Sequence, residues 1–111
     1  ALLLATGWDK RWGMPAFYLD NPLFAPGSAD LLLGLGIRLL GMDLPSASEE
    51  HEPTDTGAMH RHLLGSGVIL VEGLTGLAPL CGRRVHFLAL PLRLIDGDGS
   101  PVRACASVID D

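Results

Sequence analysis

The side chains best suited to acid–base or metal chemistry are four histidines and three carboxylates that each close an apolar run. These are His51, His60, His62 and His86, with Asp9, Asp43 and Glu72. Imidazole and carboxylate together suit Zn²⁺ or Mn²⁺. In "MHRHLLGSGVILVEGLTGL" (Met59 to Leu77), His60 lies on a helical pattern that passes through a glycine pair into Val68–Val71, and Glu72 ends that run. A buried strand needs no carboxylate at its tip, whereas ligand sites of open α/β sheets gather at the carboxyl ends of strands. Contact with solvent or with a nearby arginine would also account for Glu72. His62 points about 200° away from His60 on a helix, so the two cannot share a face. It is expected to meet solvent or a partner. His51, beside Glu49 and Glu50, reads as a solvated loop residue, and His86, between Val85 and Phe87, as a structural histidine of a strand.

The elements that must position these residues follow from the pattern. Ala1–Ala5 reads as a strand ending at Thr6-Gly7, followed by an irregular, aromatic-rich excursion to Gly27. Ser28 is suited to N-cap a helix over Ala29–Leu35, which Gly36 stops before a strand over Ile37–Met42. A polar loop follows, and Asp55 or Thr56 can cap a second helix through Leu64, leading into the strand Val68–Val71. Val85–Leu94 is a long strand in which Pro91 implies an edge or a bulge. The "DGDG" turn at Asp96–Gly99 joins it to a last strand over Val102–Ile109. The expected fold is α/β: a mixed β-sheet with short crossover helices and a C-terminal β-hairpin.

Composition narrows the function classes. The chain has 111 residues, enough for one domain with a core, and a formal charge of −5 with no basic cluster, which argues against nucleic acid. Nor does it suggest an anionic membrane as a partner. No apolar run reaches the roughly 18–20 residues that a membrane span needs. With 48% apolar residues, the chain implies strands buried on both faces or a surface kept for a partner. Cys81 and Cys105 form no CxxC pair and read as buried thiols of a cytoplasmic protein. "GLGIRLLG" lacks the third glycine of a dinucleotide fingerprint and precedes a strand. "DGDGS" lacks the remaining ligands of a calcium loop, and there is no GxSxG elbow.

Five segments in order resemble the C-terminal half of the cyclase family of metal-dependent hydrolases, which includes kynurenine formamidase (arylformamidase) and isatin hydrolase. They are "LLLATGWD" (Leu2–Asp9), "GIRLLGMDLPS" (Gly36–Ser46), "HRHLLGSGVILVEGLTGL" (His60–Leu77), "FLALPLRL" (Phe87–Leu94) and "DGSPVRA" (Asp98–Ala104). The resemblance implies the C-terminal part of a swivelling β/β/α-like fold, with residues 1–111 as a portion of one domain. It makes His60 and Glu72 ligands of a divalent metal, Zn or Mn, with Glu72 also catalytic. It implies hydrolysis of a small-molecule amide or lactam of the N-formylkynurenine type. Gly73 and Gly76 stand where many members carry asparagine.

The family's N-terminal H-x-G-T-H-x-D-x-P-x-H stretch has no counterpart here. A chain that opens without methionine on strand-like residues reads as half an enzyme, inactive alone. Its exposed apolar strands would make it a homo-oligomer. Trp8 either lines an aromatic pocket or packs the core. Arg103 either holds a carboxylate or pairs with Asp96 or Asp98. The competing reading is a non-catalytic module that self-associates through an exposed apolar face.

Overall fold

Three short apolar strands, each followed by a polar loop, build a parallel sheet. In the computed structural model, which describes residues 1–50 and 57–109, they are β1 (Leu2–Leu4), β2 (Leu39–Met42) and β3 (Ile69–Val71), in the order β1-β2-β3. Leu3 pairs with Gly41, and Gly41 with Val71. Parallel pairing forces the chain to cross over between strands. The first crossover carries α1 (Ala16–Leu19) and α2 (Ser28–Gly34), and the second carries α3 (Ala58–Gly65). Gly41 is required at the centre of the sheet: a Cβ there would lie 2.6 Å from Leu3 Cδ2 and 3.0 Å from Leu74 Cδ1. Leu40 and Met42, on the other face of β2, are fully buried with Leu44, Ala47, Leu63 and Val68.

Capping of α2 differs from the expectation. Gly27, with φ 84°, takes the cap position in place of Ser28, and no side chain of its own end caps the helix. Glu49 does so from a distance, accepting hydrogen bonds from the Gly27 and Ala29 amides at 3.2 and 2.9 Å. A bridge between Phe24 and Glu49 delivers it, with Phe24 N–H donating to Ser48 O and Glu50 N–H to Phe24 O. Gly36 ends α2 as expected, its φ of 69° turning the chain while its amide donates to Leu33 O. β2 begins at Leu39 rather than Ile37, because the residues after this turn are still leaving the helix.

α3 begins at Ala58; Asp55 and Thr56 lie outside the described residues. Met59 and Leu63, four apart, form its buried stripe, which leaves His60 beside the core and His62 turned away from it. β3 is not buried along its whole length. Val68 and Val71 are covered, but Ile69, at the start of this edge strand, is 60% exposed.

Residues from Pro79 onwards form a second unit, an antiparallel hairpin of β4 (Val85–Pro91) and β5 (Val102–Val108). The strands therefore fall into one parallel and one antiparallel sheet, within the expected α/β class. Pro91 is the last residue of β4, and the next amide, Leu92 N–H, leaves the ladder for Ser100 Oγ at 2.8 Å. Asp96, with φ 55°, makes the turn. His86 sits opposite Ser107 and is exposed rather than buried. Cys81 and Cys105 are also exposed, contrary to the expectation of buried thiols. Cys105 stands opposite Leu88, which is itself 60% exposed. Arg103 forms no ion pair with Asp96 or Asp98 among the described residues; it stands opposite Leu90. No helix of the described residues is long and apolar enough to cross a membrane.

Candidate functional site

At the carboxyl end of the parallel sheet, each loop is tied to another by a carboxylate. Asp43, ending β2, is buried and turns both oxygens on the loop after β1. It accepts from the amides of Thr6 (3.0 and 2.9 Å), Gly7 (2.7 Å) and Trp8 (3.2 Å), and from Thr6 Oγ1 (2.8 Å). Asp9, in that first loop, accepts from the Gly76 amide after β3 at 2.9 Å. Glu72, ending β3, accepts from the Ala47 amide after β2 at 3.2 Å. The three carboxylates expected at one end of the sheet are there, but Asp43 and Asp9 are engaged in holding loops.

Glu72 differs from the other two. Its Oε1 lies 3.4 Å from His60 Nδ1, with the two side chains 28% and 34% exposed, and Oε2 has no hydrogen-bond partner among the described residues. A well-formed hydrogen bond between them would be about 2.7–3.0 Å. Two ligand atoms about 2.0–2.1 Å from a tetrahedral ion lie about 3.3–3.4 Å apart. The spacing is that of an ion pair rather than a tight hydrogen bond, and is one that two donors of a single divalent ion could also take. Burial pushes the Glu72 carboxyl above its ordinary 4.5, partly opposed by the charge of His60 and the Ala47 amide. No group of three or more His, Cys, Asp or Glu capable of holding a metal occurs among the described residues.

His62 Nε2 lies 3.0 Å from Asp30 Oδ1, linking α3 to α2 at the surface. His86 belongs to the hairpin, and His51 lies outside the described residues. Trp8 packs against the core, donates Nε1–H to Phe17 O at 3.0 Å, and carries the Arg11 guanidinium 4.5 Å over its ring. Those contacts engage the indole N–H and one of its faces.

A feature that sequence reasoning missed is Trp12, which lies against Gly73, the neighbour of Glu72. A Cβ on Gly73 would be 3.0 Å from Trp12 Cζ3. Gly73 and Gly76 have φ of 62° and 73°, a left-handed backbone that asparagine tolerates better than most residues. The paired glycine and indole left no signal in spacing, since 61 positions separate them.

No family model matches the chain. It is 38% identical over 108 residues to the kynurenine formamidase of Geobacillus thermodenitrificans, covering 93% of this chain and 47% of that protein. The kynurenine formamidase of Bacillus cereus is 40% identical over 78 residues, covering 68% and 35%. An uncharacterised protein of Methanocaldococcus jannaschii is 30% identical over 106 residues, covering 95% and 52%. Among solved structures, an isatin hydrolase bound to the product analogue thioisatinate superposes with a TM-score of 0.76 at 24% identity, over 98% of this chain and 45% of that one. That likeness shows the fold. The chain spans 47%, 35% and 52% of the length of these three curated relatives, a third to a half of each. With these relatives and this fold, the chain belongs to the cyclase family that includes the kynurenine formamidases.

Proposed function

We propose that the chain is part of a metal-dependent amidohydrolase that cleaves the C–N bond of a small aryl amide or lactam, of the N-formylkynurenine or isatin type. The observation that carries this reading is the 3.4 Å approach of His60 to Glu72 at the end of β3. His60 and Glu72 would hold the ion, Zn or Mn. Such an ion polarises a carbonyl and acidifies a bound water. His60 is held by α3, whose Met59 and Leu63 are seated in the core; Glu72 is held by the Ala47 amide. Both donors are thus fixed before any ion arrives. Glu72 is the residue whose loss should abolish turnover. Catalytic zinc sites usually use three protein ligands, so two donors alone support little activity, and the remaining donors come from outside the described residues. The reading places the protein in the cytoplasm.

The test is isothermal titration of Zn²⁺ and Mn²⁺ into the chain, together with assays of N-formylkynurenine and isatin hydrolysis. Metal binding that His60→Ala and Glu72→Gln each weaken at least about tenfold is expected. Turnover is expected only in a longer chain that supplies further ligands. Metal affinity unchanged by both substitutions would refute the reading. Homo-oligomerisation through the hairpin is the accompanying proposal, supported by Leu88 and Leu90, 60% and 67% exposed on one side of β4.

A further inference from the structure

Trp8 and Trp12 flank the same 3₁₀ turn, Trp8–Arg11, yet are used differently. Trp8 is committed to the core, to Phe17 O and to Arg11. Trp12 has one edge on Gly73 and meets buried Phe17 edge to face, with centroids 4.9 Å apart and planes at 77°. It is nonetheless 54% exposed. Its Nε1–H has no partner among the described residues. Its backbone is fixed, because its amide donates to Asp9 O at 3.0 Å and Asp9 is in turn bonded to Gly76. A half-open indole on a bonded backbone, packed against Phe17 and Gly73 beside a candidate metal ligand, offers a preorganised surface for an aryl ring.

Gly73 makes this surface possible. Its amide is bonded to Leu44 O at 2.8 Å, which fixes the backbone, and its lack of a side chain leaves the room that Trp12 fills. We propose that Trp12, seated on Gly73, is a specificity-determining residue that stacks the aryl ring of the substrate next to Glu72. This rests on the proposed amidohydrolase function and assigns to Trp12 the aromatic contact that is one of two readings of Trp8 in the sequence. Nε1–H of Trp12 is free to donate to an oxygen of that ligand.

The experiment titrates the 111-residue chain with formanilide and, separately, with N-cyclohexylformamide, which has the same size without the aromatic face. Binding is read from backbone amide resonances by NMR, that of Gly73 among them, with zinc affinity measured in parallel by calorimetry. The wild type should prefer the aryl probe by about three- to tenfold, the range of an aromatic pair. Trp12→Ala and Gly73→Asn should each abolish that preference, Gly73→Asn by pushing the indole aside while keeping it in the chain. Trp12→Phe should retain it, and zinc affinity should not change in any of the three. An equal preference in Trp12→Ala, or none in the wild type, overturns the proposal. Loss of zinc binding by the wild type with the aryl preference intact supports the aromatic shelf while removing the metal-site reading.

Discussion

Asp43→Asn separates a carboxylate that holds the fold from one that holds an ion. Asp43 is 1% exposed, and its two oxygens accept from three consecutive amides and from the Thr6 hydroxyl. Asparagine keeps one acceptor oxygen and sets an NH₂ donor where the other stood. At the Oδ1 position the Thr6 hydroxyl can rotate to accept from it, but the Thr6 amide cannot. Hydrogen bonds to a charged group are worth about 1.5–3 kcal/mol, so losing one and weakening the others should cost about 2–4 kcal/mol. With a urea slope of about 1.5 kcal/mol/M, the unfolding midpoint should fall by about 1.5–2.5 M. Zinc affinity of the folded variant, measured in low urea, should remain that of the wild type, because no oxygen of Asp43 is available to an ion. A midpoint shift worth less than about 0.5 kcal/mol, the scale of an ordinary surface change, would refute the reasoning. So would a loss of zinc binding in a variant that is still folded.

Glu72 should behave in the opposite sense in the chelator-treated chain. Its folded-state carboxyl lies above the ordinary 4.5, so between 4.5 and that raised value the folded chain binds more protons than the unfolded chain. Its contribution is full below this window and is lost as pH rises through it, so stability should fall there, and Glu72→Gln should flatten the curve. Urea midpoints measured across the acidic range check this; a wild type that gains on Glu72→Gln with rising pH counts against it. Gly41→Ala should cost about 1–3 kcal/mol through overpacking against Leu3 and Leu74, read as a lower thermal midpoint, and an unchanged midpoint would show that those side chains yield freely. Glu49→Ala should cost about 1 kcal/mol by uncapping α2, with no loss on Glu49→Ala indicating that solvent serves those amides equally well.

The elements were legible in the sequence where local chemistry decides them. Gly36 stops α2 because an αL turn follows the helix, and Glu72 marks the end of β3 because it breaks an apolar run. The approach of His60 to Glu72 was anticipated from the family resemblance, and the structure brings them to 3.4 Å. What spacing could not show depends on chain segments that meet only after folding. The cap of α2 comes from Glu49, over twenty residues away, so the local choice of Ser28 failed. The burial of β3 was overestimated because composition does not distinguish an edge strand from a central one, and Ile69 shows the difference. Cys81 and Cys105 were assigned by the average habit of cysteine, which carries no information about which side of a hairpin faces outward.

The three carboxylates explain how such short strands, of three, four and three residues, can present a site at all. Strands of this length fix the loops beyond them poorly, since each loop is attached only at its base. Asp43 ties the second loop to the first, Asp9 the first to the third, and Glu72 the third to the second. The chain of contacts is closed, so each loop is both donor and acceptor in the same circuit. Glu72 and Asp9 each accept from a single amide, against the fully occupied oxygens of Asp43, and Glu72 is the one of the three with an imidazole beside it. A residue that holds its neighbour with one oxygen and leaves the other available can serve structure and chemistry together. Rigidity is therefore supplied mainly by Asp43, while Glu72 holds its loop through one amide and still faces His60.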